Sequence, residues 1–185
     1  MRTRNIQFGI GLLVALSVIL FLAPGWSQEA KPAPLFVGVD ACGRCHGSKA
    51  TGQQVQSWRT SAHANAWETL GTERAREVAA KHGITEPQNS LACLRCHTTA
   101  MGEPKERLAV GFRREDGVQC ESCHGAGSEY GKIEHMIDNA KARAAGLIEP
   151  GPALCQRCHN ADSPTFSGFD YKLALERIRH RLAAY

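Results

Sequence analysis

One five-residue pattern recurs four times in this chain and accounts for every cysteine in it. The units are Cys42-Gly-Arg-Cys45-His46, Cys93-Leu-Arg-Cys96-His97, Cys120-Glu-Ser-Cys123-His124 and Cys155-Gln-Arg-Cys158-His159. Two thiols three positions apart reach the two vinyl groups of one haem as thioethers, and the histidine after the second thiol is held beneath the iron as its proximal ligand. The pattern therefore predicts four covalent haem c groups. They attach through Cys42, Cys45, Cys93, Cys96, Cys120, Cys123, Cys155 and Cys158, with His46, His97, His124 and His159 on the proximal iron positions.

Two other uses of paired cysteines compete. Eight cysteines in an exported protein allow 105 disulfide connectivities, and zinc ribbons also use Cys-x-x-Cys knuckles. Neither use demands a histidine after every second cysteine. With eight histidines in 185 residues, four such coincidences have odds on the order of 10⁻⁶, so the haem reading prevails.

The N-terminus has the form of an export signal. Arg2 and Arg4 precede a run from Phe8 to Ala23 that is apolar apart from Gly9, Gly11 and Ser17, and Pro24, Gly25 and Ser27 close it. The sequence thus predicts a signal peptide over 1–27, a flexible leader over 28–40 and a tetrahaem cytochrome c domain over 41–185. The alternative is an uncleaved anchor, since the run is only slightly short for a membrane span. Export places the mature protein in the periplasm or outside the cell, with no stable membrane insertion once the signal is removed.

Composition bears on the core and on partners. Aromatic residues are 6% of the chain and large aliphatics are sparse, less side-chain volume than a domain of this size normally buries. Four flat apolar macrocycles would fill that space. The formal charge of +4 falls by two when Arg2 and Arg4 leave with the signal, and the haem propionates then make the loaded protein acidic. The remaining Arg and Lys are read as propionate counter-ions, and no nucleic-acid partner is expected.

Four histidines remain for the distal iron positions: His63, His82, His135 and His180. His63 follows Ser61, a potential helix cap, and lies among Ala62, Ala64 and Ala66, which let a flat ring approach the backbone. His135 lies on a helical stretch expected to run to Ala145 and stop at Gly146. His180 lies on a last helix, off the apolar stripe of Tyr171, Leu175, Ile178 and Leu182. These three are assigned as iron ligands. His82 differs: it ends a helical run just before Gly83, where a helix C-terminus favours a polar or cationic residue, and it is not assigned.

The elements expected are helices near 61–70, 72–82, 128–145 and 169–184, with little strand alternation anywhere. The fold class is mostly α: a multihaem cytochrome whose helices and loops wrap around four covalently bound haems, with little or no sheet. The motifs open at unequal intervals, so the chain is no solenoid.

Further residues carry a resemblance. Trp58 with Ser61-Ala62-His63-Ala64, Gly117-Val118-Gln119-Cys120-Glu121-Ser122-Cys123-His124-Gly125 with Gly127-Ser128, and Ser163-Pro164-Thr165-Phe166 ahead of Ile178-Arg179-His180 resemble the tetrahaem cytochrome c family typified by the electron acceptor of hydroxylamine oxidoreductase. The resemblance implies that His180 serves the haem of His46, His63 that of His124 and His135 that of His159. It implies a five-coordinate, high-spin haem at His97, with Pro164 and Phe166 near its open face.

The function expected is that of an exported electron carrier and not an enzyme, exchanging electrons with other redox proteins or membrane quinol-linked cytochromes. Histidine on both sides of an iron blocks substrate and favours outer-sphere transfer. One alternative is an enzyme acting on a small nitrogen oxide at an open second haem. A filament or conduit subunit, in which His82 ligates a neighbour's haem, is another; homo-oligomerisation is compatible with either.

Overall fold

The structure, a computed structural model, describes residues 31–180. The expected signal peptide and the start of the leader lie outside these residues, as does Leu182 of the C-terminal stripe. Among the described residues there are ten short α-helices: α1 (Val39–His46), α2 (Gln54–Arg59), α3 (Ala66–Thr69), α4 (Glu73–Ala80), α5 (Leu91–His97), α6 (Cys120–His124), α7 (Ile133–Met136), α8 (Asn139–Ala144), α9 (Pro152–Cys155) and α10 (Tyr171–Ile178). A single isolated parallel bridge between Phe36 and Leu108 is the only β pairing among them. The mostly helical class read from the sequence is what the chain adopts.

The motifs explain why the helices are short. In a helix, positions i, i+3 and i+4 share one face, so the two cysteines and the histidine of a motif point the same way from one turn. α1, α5 and α6 each end on the motif histidine. Gly125, at φ 82°, takes the chain out of α6 in a conformation a side chain resists. In the fourth motif α9 stops at Cys155, and the turn continues through His159 N–H donating to the Cys155 carbonyl at 3.0 Å.

Three expected helices differ in extent. The 61–70 helix begins only at Ala66, because the His63 carbonyl is taken from outside by the Val118 N–H at 2.9 Å, and the Ser61 hydroxyl is buried without a partner and caps nothing. The 128–145 helix is split: Asp138 accepts from the Ala140 and Lys141 N–H groups and starts α8 afresh. Gly146, at φ 105°, does end that stretch. α10 is capped by Asp170 and ends at Ile178, so His180 stands just beyond the helix, after the extended Arg179.

The buried apolar side chains among the described residues are Val39, Val55, Leu70, Ala79, Leu94, Tyr130 and Ala142, while the largest fully buried side chains are Gln119 and Thr99. The centre of this fold is thus hydrogen-bonded rather than oily. Thr99 donates its hydroxyl to the Gly117 carbonyl at 3.1 Å and accepts from the Gln119 N–H and the Ser122 hydroxyl, both at 2.7 Å. This joins the residues after the second motif to the third motif.

Part of the expected flexible leader is fixed. From Leu35 to Val39 every backbone N–H has an acceptor: Ser128 Oγ, the Arg107 carbonyl, the two Glu121 oxygens and Gln119 Oε1, each at 2.8 Å. A chain whose N–H groups are spoken for residue by residue does not behave as a linker.

Candidate haem sites

All eight cysteines are free thiols and at least partly exposed in this structure. Among the described residues no three His, Cys, Asp or Glu side chains converge to hold a bare metal ion. Neither observation disturbs a site in which two sulfurs take a macrocycle and a histidine takes its iron.

The sulfurs order the four motifs in space. The Cys42 thiol donates to the Gly38 carbonyl at 3.6 Å, and the neighbouring Cys120 thiol together with burial pushes the Cys42 thiol far up. Cys123 is pushed up to about 11 by burial and then by the nearby Cys155 and Cys120 sulfurs. Cys158 is likewise pushed up to about 11, by burial and by the nearby Cys96, which borders the same cavity. The motifs therefore neighbour one another in the order first, third, fourth, second.

Ring nitrogens give a second test of fit. His97 Nδ1 lies 2.7 Å from the Ala66 carbonyl, His124 Nδ1 3.1 Å from that of Ile148 and His135 Nδ1 2.6 Å from that of Glu129. A carbonyl only accepts, so each Nδ1 carries the proton and each Nε2 is left as a lone pair for a metal, the usual second-shell arrangement of a ligating histidine.

Ring pairs give a third. The His63 and His159 centroids are 6.1 Å apart, and those of His124 and His180 are 5.9 Å apart. An imidazole bound at about 2.0–2.1 Å has its centroid roughly 3 Å from the metal, so each separation suits two rings sharing one iron. Burial, and then the charge of His159, hold His63 below its usual 6.5; burial, and then the charges of His124 and His46, act in the same way on His180. Both are thereby kept in the neutral form a metal needs. These pairs differ from those implied by the resemblance, which set His63 with His124 and His180 with His46. Phe169 stacks on His159 at 4.8 Å and 13°, fixing that ring's plane from the side.

Two cavities accompany the motifs. One of about 200 Å³ is bordered by Cys120, Cys123, His124, His63 and His180. The other, of about 400 Å³, is bordered by Cys93, Cys96 and His97 together with His82, Pro164 and Thr165. Pro164 thus stands at the second motif as the resemblance implied, whereas Phe166 does not border that cavity and is 41% exposed. His82 lies in the turn just after α4, its backbone N–H on the Ala79 carbonyl at 2.9 Å, and its side chain borders the same space as His97.

Short helices bearing paired thiols over a free imidazole, set around cavities rather than a packed core, define a c-type cytochrome. Residues 41–125 match the family described as cytochrome c554 and c-prime. The chain is 31% identical over 164 residues to cytochrome c-554 of Nitrosomonas europaea, in an alignment that covers 83% of this chain and 63% of that one. It therefore spans somewhat less than two thirds of that relative's length. No solved structure matches the chain.

Proposed function

We propose that this protein is an exported electron carrier whose four haem c groups form one continuous route. The observation that supports this most directly is the spatial order of the sulfurs, with Cys42 beside Cys120, Cys123 near Cys155 and Cys158 beside Cys96. Groups attached at neighbouring sulfurs are themselves neighbours. When bound, haem supplies a one-electron iron couple at each station.

The chain's own residues hold the stations. His46, His97, His124 and His159 take the proximal positions; His63 completes the site of His159, and His180 that of His124. His135 is assigned to His46: it bonds to Glu129, next to Tyr130, whose hydroxyl is pushed far up by burial and then by the Cys42 and Glu121 charges. His97 keeps an open face, bordered by His82 and Pro164. Three closed stations favour passing electrons over transforming a bound molecule.

The partners are other redox proteins outside the cytoplasm, and the periplasm is the proposed compartment. No described helix is long and apolar enough to cross a membrane. Stopped-flow oxidation of the fully reduced protein by a redox protein acceptor tests the proposal. All four haems should reoxidise together, with no added small substrate. A haem subset left reduced for many turnovers would break the continuous route.

A further inference from the structure

Glu121 sits between the two cysteines of the third motif and is only 2% exposed. It makes no ion pair among the described residues. Its oxygens accept three backbone N–H bonds: Oε1 from Val37 at 2.8 Å and Gly127 at 2.7 Å, Oε2 from Gly38 at 2.8 Å. A Cβ on Gly127 would stand 3.1 Å from Oε1, so the glycine is what lets that N–H approach. All three partners are donors and none accepts, so a proton on either oxygen would find no partner among them. The site is built for the carboxylate. Burial pushes the Glu121 carboxyl above its usual value, and the three N–H groups offset only part of that rise.

Holding residues 35–39 in place does not by itself require a charge. Gln119 holds Val39 through a neutral amide oxygen at 2.8 Å, and Ser128 holds Leu35 through a hydroxyl at the same distance. A buried carboxylate is the costlier device for the same task, so its charge calls for a separate account. That charge lies beside the sulfurs of both Cys42 and Cys120, each of which feels it. In a poorly screened interior, a fixed negative charge near an iron stabilises the oxidised, more positive state.

We propose that Glu121 is a positioning residue with an electrostatic role: a buried carboxylate that docks the first motif's leading segment on the third motif and lowers the reduction potential of the haems on both. This rests on the reading that both motifs carry haem. The experiment therefore starts from loaded protein whose intact mass shows four haems, and a shortfall there counts against that reading alone. Optical potentiometry is then run on wild type, Glu121→Gln and Ser128→Ala. In Glu121→Gln two of the four midpoints should rise, each by at least a tenfold change in the reduction equilibrium, or about 59 mV for one electron, while the other two stay. Ser128→Ala loosens the same segment with the charge kept, and its midpoints should match wild type. Unmoved midpoints in Glu121→Gln, or an equal shift in Ser128→Ala, overturn the proposal. Infrared spectra of oxidised wild type labelled with carbon-13 at glutamate need no variant, in case Glu121→Gln does not load. At neutral pH they should show no protonated carboxyl band, and a buried one would overturn the proposal.

Discussion

The Trp58 indole N–H donates to the Val118 carbonyl at 2.8 Å, and the N–H of that same Val118 donates to the His63 carbonyl at 2.9 Å. Val118, two positions ahead of the third motif, thus receives a side chain from α2 and fixes the loop that presents His63. Trp58→Phe keeps most of the ring and removes one donor, leaving the Val118 carbonyl short of a partner. We expect a loss of about 1–3 kcal/mol in thermal or denaturant unfolding, with haem content unchanged.

Gly117 offers a sharper perturbation of the same loop. It has φ 73°, and an added Cβ would stand 2.7 Å from the His63 carbonyl oxygen and 2.8 Å from that of Ala64. Both are backbone atoms, so the loop itself must move. Gly117→Ala should cost at least about 2–3 kcal/mol and release His63 from its iron. Optical and magnetic spectra should then show one low-spin haem fewer, and an unchanged low-spin count would show that His63 is held by other means.

Stoichiometry is checked by weighing the protein. Intact mass should exceed that of the chain by four haems, and these should survive acid-acetone extraction. Replacing Cys155 and Cys158 together by Ala should remove one haem's mass and no more. A mass carrying only disulfides or zinc would refute the cofactor assignment.

The seven buried apolar residues among those described are too few to drive collapse of a domain this long. Expressed without haem-attachment machinery, the protein should be largely unfolded by circular dichroism and should lack a cooperative melt. A cooperative helical apoprotein would mean that side chains alone fill the interior.

Spin state reports the distal positions. Electron paramagnetic resonance of the oxidised protein should show three low-spin haems and one high-spin haem, the latter at His97. His63→Ala and His180→Ala should each add one high-spin haem, on the His159 and His124 sites respectively. His82→Ala should leave the count as it was. A wholly low-spin wild type that gains its only high-spin haem in His82→Ala would make His82 the sixth ligand.

The local chemistry of this protein is legible along the chain, because thioether attachment needs residues three and four positions apart and nothing from elsewhere. The candidate distal histidines stand out by their neighbours, and one helix end by Gly146. What faces what is a tertiary matter. His63 and His159 are far apart in sequence, and their approach depends on Val118, whose role no local pattern announces. Glu121, Gln119 and Thr99 escaped notice since polar residues near a motif are ordinarily solvent-facing. A clue was present: the third motif alone lacks Arg before its second cysteine and alone has an acid after its first.

The order first, third, fourth, second has a consequence for how the protein is divided. A cut between the second and third motifs would leave each half with motifs whose neighbours are on the other half: Cys42 without Cys120, and Cys96 without Cys158. The leading segment 35–39 would also lose Glu121, Gln119 and Ser128 together. This cytochrome is therefore no tandem of two smaller ones. If each motif carries a haem as proposed, the chain is braided through its own redox path, and a nascent protein with only its first two haems would hold two stations with no link between them.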